Sequence, residues 1–397
     1  MKTLIKNLLL GSALVCMAGM TSCEDAEYDT LGARAFINES TTSTSTKVVV
    51  VKGGGDATIT VCLSEAVGED ASFKLVVDPT VLDKYNQTES ASYLTLPEGS
   101  YEMESTVVIK AGEFSAEPTK IHINEFTSDM LIDSYALPLR LESVDGKVAT
   151  MSKTGTYVIT TENVAPFSLP MYTGGTGFTA EMPNGPETYP AFTLEARFQI
   201  SDTGNRNRTV FSNPNSDDAN NLLLRFEDPQ SNQPDGTKAH SLIQVVGREH
   251  KFLNPSIAIE TNKWQHYAIT FDGSEYRLYV NGGFAGVLDV PDGPTKFSGF
   301  TWFGDANDSW WGSCKMLMTE LRVWSVCRTE EQISKNMTTV GTKSAGLEGY
   351  WRLSDGKGAE GKSYTDLTGK GHTLTTTKAP VKWIDNIMSN DTQTPWE

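Results

Sequence analysis

Asn262-Lys263-Trp264-Gln265-His266-Tyr267-Ala268-Ile269-Thr270-Phe271-Asp272-Gly273, continued by Leu278-Tyr279-Val280-Asn281-Gly282, decides how the second half of this 397-residue chain is read. From Trp264 the side chains alternate, with Tyr267, Ile269 and Phe271 on one face and Trp264, His266, Ala268 and Thr270 on the other, the period of a strand. Asp272-Gly273 and Asn281-Gly282 are hairpin turns, so strand, turn, strand, turn and strand make a meander. The same alternation puts Phe192, Leu194, Ala196 and Phe198 opposite Thr193, Glu195 and Arg197. One short helix is expected over 329–337, with Thr329 as N-cap and Glu330 and Glu331 in its first turn.

Ahead of this unit, short β-rich runs at 48–51, 58–63, 72–77, 106–110, 120–123, 136–141 and 156–160 are separated by turn material such as Gly53-Gly54-Gly55-Asp56 and Pro97-Glu98-Gly99. That spacing predicts an immunoglobulin-like antiparallel β-sandwich, with a helical turn at 79–85 as the exception. Residues 163–185, rich in Pro and Gly, mark the boundary. The expected organisation is a signal peptide over 1–22, a tether over 23–46 ending in a Thr/Ser run, a β-sandwich over 47–162 and a second β-domain over 163–397. The chain is expected to be all-β.

Two resemblances follow from these residues. Leu82-Asp83-Lys84-Tyr85-Asn86, Tyr93-Leu94-Thr95-Leu96-Pro97, Val108-Ile109-Lys110-Ala111-Gly112 and Tyr135-Ala136-Leu137-Pro138-Leu139 resemble a domain of unknown function common in Bacteroidota surface lipoproteins. There it sits ahead of endo-N-acetylglucosaminidase barrels or lectin-like domains. The 262–282 stretch, Met318-Thr319-Glu320-Leu321-Arg322-Val323-Trp324, Leu347-Glu348-Gly349-Tyr350-Trp351-Arg352 and Asp366-Leu367-Thr368-Gly369-Lys370-Gly371-His372 resemble the laminin-G-like, concanavalin A-like jelly roll. Thr319 stands where that family carries an acid. The resemblance implies a jelly roll following the sandwich, in a protein that serves polysaccharide utilisation.

Lys2 and Lys6 precede an apolar stretch over 8–20, of signal-peptide length and too short to span a bilayer. Met20-Thr21-Ser22-Cys23 resembles a bacterial lipobox, which implies lipidation of Cys23; an ordinary signal peptide with a chance cysteine is the alternative. Glu24-Asp25-Ala26-Glu27 resembles the export signal of surface lipoproteins. These features imply an outer-membrane lipoprotein, exposed at the cell surface and held to the membrane only by its lipid. Of five cysteines, Cys62, Cys314 and Cys327 remain after processing. Cys314 and Cys327 flank a strand that holds them about 40 Å apart, so three free, mostly buried thiols are expected. The formal charge is −17, with a pI near 4.8, which excludes a general nucleic-acid binder.

The jelly roll also hosts glycanases, but a retaining site needs two carboxylates about 5 Å apart, and no such run occurs. Glu320 and Arg322 share a strand face and should form a surface or semi-buried ion pair. His122, His240, His250, His266 and His372 are scattered without zinc spacing, and His266 reads as a hydrogen-bonded structural residue. Gly356-Lys357-Gly358-Ala359-Glu360-Gly361-Lys362-Ser363 fits two nucleotide-loop patterns, but no helical period follows to hold a phosphate.

Binding has more material. Gly304-Asp305-Ala306-Asn307-Asp308-Ser309-Trp310-Trp311-Gly312 gathers acids, an amide and two Trp in one loop. Sugar rings stack on flat aromatics while amides and carboxylates bond hydroxyls, so Asp305, Asn307, Asp308, Trp310 and Trp311 are the candidate glycan contacts. Asp305 and Asp308 could instead hold Ca²⁺, or Trp310 or Trp311 could simply cap the sandwich edge. Polar loops at 213–221 and 228–235 could line the same rim. The reading is a surface-anchored glycan-binding lipoprotein with no catalytic residues and no required cofactor, with glycan-uptake proteins of the outer membrane as partners. A protein-binding adhesion module and a glycosidase with an unrecognised site are the alternatives.

Overall fold

A computed structural model describes residues 32–127, 130–131, 133–164, 166–180, 182–203, 207–213, 217–226, 242–255, 257–304 and 309–397. The described residues are almost all β, and no helix among them is long and apolar enough to cross a membrane. The signal-peptide and Cys23 readings lie outside them.

The first domain has one core fed by three sheets. A central sheet orders Ser45–Val50, Thr156–Asn163, Tyr135–Ser143, Ala71–Val77 and Thr106–Ile109, and two three-stranded sheets complete the enclosure. The tether is shorter than expected. Arg34–Ile37 is already a strand, antiparallel to Val61–Leu63, with Ala35 and Ile37 fully buried. Two alternating apolar residues in a four-residue strand are too few to stand out from a polar leader, and the Thr/Ser run that follows is a turn plus the start of Ser45–Val50. The expected run 58–63 is split at Thr60, whose N–H turns aside to the Glu39 carboxylate at 3.0 Å.

The helical turn is a full helix, Pro79–Glu89, capped by Asp78, which accepts from Thr80 N at 2.9 Å, with Pro79 preset for the first turn. Leu82 packs it onto Ala136 and Val158. It runs past Tyr85 because Ser90, at φ +50°, supplies the left-handed stop.

The boundary is also narrower than 163–185. Phe167–Thr173 is a strand of the second domain, paired with Lys382–Ile387 and burying Leu169 and Met171. Its one proline hid that alternation, since Pro170 is accommodated beside a register irregularity.

The second domain is a two-sheet sandwich. One sheet orders Gly283–Asp289, Glu275–Val280, Gln265–Phe271, Phe192–Ile200, Lys315–Trp324, Phe167–Thr173 and Lys382–Ile387. The other runs from Phe252–Leu253 through Ile243–Val246, Leu223–Phe226, Thr209–Ser212, Phe300–Trp302 and Phe178–Ala180 to Leu374–Thr375 and Ser363–Tyr364. Phe192 faces Phe271 and Leu194 faces Ile269 across neighbouring strands. These side chains meet Phe297 and Phe300 in the core between the sheets. Asn281 and Gly282, at φ +50° and +81°, make the expected hairpin turn. The Thr329 capping box starts helix Glu330–Lys335.

The polar face of the first sheet is not solvent. Thr193, Glu195, Arg197 and Gln199 are all buried. The C-terminal segment straps over them: Arg197 Nη2 donates to the Asp391 carbonyl at 2.7 Å and Gln199 Nε2 to that of Thr394 at 2.7 Å. The Trp264 indole N–H donates to Thr394 Oγ1 at 2.8 Å. Glu320 and Arg322 do pair, but in the interior rather than at the surface. Glu320 sits at φ +55° beside a bulge, which turns its carboxylate between Arg322 and Arg352.

The two domains meet through the segment after the short helix. Tyr93 Oη donates to Asn336 Oδ1 at 3.4 Å and Thr342 Oγ1 to Asp133 Oδ1 at 3.1 Å. A Cβ on Gly341 would stand 2.6 Å from the Ser92 carbonyl, so a backbone without a side chain is required there. All three thiols are free. Only Cys314 is buried, since Cys62 is partly covered and Cys327, just past the long strand's end, is exposed.

Candidate functional site

The expected binding loop leaves the sandwich where Phe300–Trp302 ends. Phe303 and Gly304 adopt φ +56° and +71°, swinging the chain off the sheet. Phe303 stays pinned through its N–H to Val210 O at 2.8 Å and its carbonyl to Thr176 N at 3.0 Å. Asp305, Asn307 and Asp308 lie outside the described residues. The chain returns as the single turn Ser309–Trp311.

The two tryptophans part company. Trp311 is 0% exposed, its ring packed against Phe226 and Phe303 at centroid distances of 5.6 and 6.1 Å. It offers no face to a ligand, which corrects its assignment as a sugar contact. Trp310 is 39% exposed. Beneath it, Arg208 is buried over the Trp311 ring, 5.5 Å from its centroid. Its Nε donates to the Trp310 carbonyl at 3.0 Å, Nη1 to the Asp202 carbonyl at 2.7 Å and Nη2 to Asp202 Oδ1 at 2.8 Å. One buried guanidinium thus fixes both the Trp310 backbone and the neighbouring loop, so the exposed indole stands on a rigid base.

Sequence reasoning missed Arg208, because a lone arginine beside a turn carries no pattern. It also missed the guanidinium–amide row on the sheet's outer surface, where Arg225 Nε donates to Gln244 Oε1 at 2.8 Å and Gln244 Nε2 to Asn254 Oδ1 at 2.8 Å. The loop at 213–221 is structural where described. Asn213 Nδ2 donates to the carbonyls of Asn220 and Lys296, both at 2.9 Å. The 228–235 loop falls outside the described residues.

Residues 173–334 match the model of the concanavalin A-like lectin/glucanases superfamily, of laminin G type. The second domain is concanavalin A-like. Residues 28–148 match the model of an N-terminal domain family. Among solved structures, the chain is similar to a candidate carbohydrate-binding protein from Bacteroides ovatus, at 23% identity and TM-score 0.47 over 88% of this chain and 99% of that one. It is similar to EndoBT-3987 of Bacteroides thetaiotamicron at 17% identity and TM-score 0.28, over 32% of this chain and 30% of that one. A pentraxin from Limulus polyphemus matches at 18% identity and TM-score 0.35, over 56% and 95%. No curated protein matches.

Within the concanavalin A-like domain the two buried carboxylates of the first sheet's outer face are both occupied. Glu195 is bound by Arg322 and Arg328, and Glu320 by Arg322, Arg352 and the Tyr350 hydroxyl. Neither is placed as a general acid or base. Among the described residues no three His, Cys, Asp or Glu side chains gather to hold a metal, and the Ca²⁺ reading at Asp305 and Asp308 falls outside them. The nucleotide-like motif forms a 3₁₀ turn, Gly356–Ala359, followed by strand Ser363–Tyr364, with no helix at its end. Gly356 is there because a Cβ would lie 2.2 Å from the Tyr364 ring.

His266 is structural, its Nε2 3.1 Å from Glu195, and burial lowers its pKa. His372 behaves oppositely. It is buried, with Nε2 2.9 Å from Glu187 and Nδ1 3.5 Å from Asp366. Burial opposes its charge, but the hydrogen bonds it donates to Asp366 and Glu187 prevail and its pKa is pushed up to about 9. Because the folded value is raised, this stabilisation is present below the unfolded pKa of about 6.5 and is lost as pH rises through about 9. Between pH 6 and 10 the native protein should lose on the order of 2–3 kcal/mol from this group. Urea titrations across that range should show the loss, and a His372→Gln variant with an undiminished slope would refute it.

Proposed function

We propose that the protein is a lipid-anchored, surface-facing glycan binder that serves a polysaccharide-utilisation system beside outer-membrane uptake proteins. The carrying observation is Trp310, a partly exposed indole whose backbone carbonyl is held by buried Arg208, at the rim of a domain of the lectin/glucanase superfamily. A rigid aromatic plate costs little ordering entropy when a sugar ring stacks on it. Asp305, Asn307 and Asp308 precede it in sequence and bring the acceptors and amide that hydroxyls require. The Cys23 lipobox and the acids after it support the anchor and the outward placement. Binding is favoured over catalysis because Glu195 and Glu320 are spent on arginines.

Affinity electrophoresis of the chain from Glu24 onward, through gels containing a panel of polysaccharides, tests this reading. At least one polysaccharide should retard the protein, and Trp310→Ala should weaken that retention about tenfold or more. Equal retention of wild type and Trp310→Ala would reject the site, and no retention on any polysaccharide together with a captured protein partner would favour the adhesion reading. Calcium at Asp305 and Asp308 belongs to the proposal, and retention unchanged by EDTA removes it.

A further inference from the structure

A cavity of about 380 Å³ lies where the domains meet, lined by Phe126 and Leu131 from the first domain and Phe167, Leu367, Arg197 and Arg352 from the second. That is the size of a small-ligand site, at the kind of position such sites favour.

Arg197 is the group that singles it out. It is 6% exposed, lies over the Trp264 ring at 4.7 Å and donates to one carbonyl, yet it has no carboxylate within ion-pair distance among the described residues. The other three arginines of that sheet face, Arg322, Arg328 and Arg352, are each paired with Glu195 or Glu320. Two carboxylates therefore pair with three guanidinium groups, and the fourth, Arg197, pairs with neither. Glu320, Glu162 and Asp391 act on Arg197 only through space, and Glu320 is already held by Arg322 and Arg352 and Glu162 by Lys47 and Thr338. Burial pushes the Arg197 guanidinium down, as expected of a charge short of a partner. Glu320, Asp133 and Asp355 also line the cavity, but Glu320 is neutralised by Arg322 and Arg352, Asp355 is exposed and bonded to Thr365 N, and Asp133 is only half-buried and bonded to Thr342. Water shares their charge, whereas a buried cation needs a counter-charge.

We propose that this interdomain cavity is a second binding site, for a sugar bearing a carboxylate, with Arg197 as the counter-charge and Phe126 and Phe167 against the ring. The carboxylate follows from Arg197; the sugar rests on the glycan reading above. The first domain then acts as part of a binding site as well as a spacer.

Titration calorimetry on the chain from Glu24 onward, with D-glucuronate and D-galacturonate as probes and glucose and galactose as controls, decides it. Saturable binding is expected for at least one uronate and for neither neutral sugar. Arg197→Met should weaken it about tenfold or more. Leu131→Trp, which enlarges a side chain 36% exposed at the cavity wall, should block it without disturbing the core, and carries the test if Arg197→Met does not fold. Trp310→Ala should leave it unchanged, so loss of polysaccharide retention with uronate binding intact defeats only the rim reading. Neither uronate binding at about 10 mM, neutral sugars binding equally, or binding untouched by Leu131→Trp would overturn the cavity proposal.

Discussion

Glu195→Gln is expected to lower the free energy of unfolding by about 3–5 kcal/mol, because it strands a cation in the interior. Glu195 Oε2 accepts from Arg322 Nη1 at 2.8 Å and Oε1 from Arg328 Nη1 at 2.6 Å, all three side chains being fully or almost fully buried. Arg322 keeps Glu320, but Arg328 has no other carboxylate partner among the described residues and is left with the Gln332 carbonyl and the Trp324 ring. Burial alone would raise the Glu195 pKa; Arg328 and Arg322, and then the His266 contact, reverse this and hold it well below the usual carboxylate range. A depressed acid contributes stability above its unfolded pKa of about 4.3 and loses it as pH falls, so wild type should lose more than Glu195→Gln on acidification. Urea denaturation at neutral pH and near pH 3 measures both effects. A neutral-pH loss under about 1 kcal/mol would mean the network is not the keystone its burial implies.

The second large effect separates two adjacent residues. Trp311→Ala should cost about 3–5 kcal/mol, since the ring is enclosed by Phe226, Phe303 and the Arg208 guanidinium and its loss opens a cavity. Trp310→Ala, whose side chain is partly in solvent, should cost under about 1 kcal/mol while removing the proposed glycan contact. Thermal or urea unfolding of the two variants tests the contrast. Similar losses for both would place Trp310 in the core and remove the reason to read it as a platform.

The alternation of Phe192–Ile200 and Gln265–Phe271, the Asn281-Gly282 turn and the Thr329 cap were legible because each is a local rule with a fixed period or spacing. The tether and the boundary segment were drawn too long for the converse reason. Arg34–Ile37 is too short to show a period, and Pro166 just before Phe167–Thr173 and Pro170 within it mimic a linker. Alternation identified the polar face of the long strands but not what covers it: the C-terminal strap and the first domain arrive from distant sequence. The Arg208 base beneath Trp310 and the cavity beside Arg197 were invisible for the same reason. The split between Trp310 and Trp311 was undecidable in sequence, because neighbours in a single turn have no periodicity to say which points inward.

Ser45–Val50 pairs in parallel with Thr156–Asn163, the strand that leads directly into the second domain, and Arg34–Ile37 pairs in parallel with Ala149–Thr150. Tension between an N-terminal anchor and a polymer gripped by the second domain would pull these neighbouring strands lengthwise in opposite directions. The six register pairs from Ser45 to Val50 would then bear the load together, in shear, rather than peeling open one after another. On the proposed reading of an anchored glycan binder, that connectivity would keep the first domain folded while load passes through it.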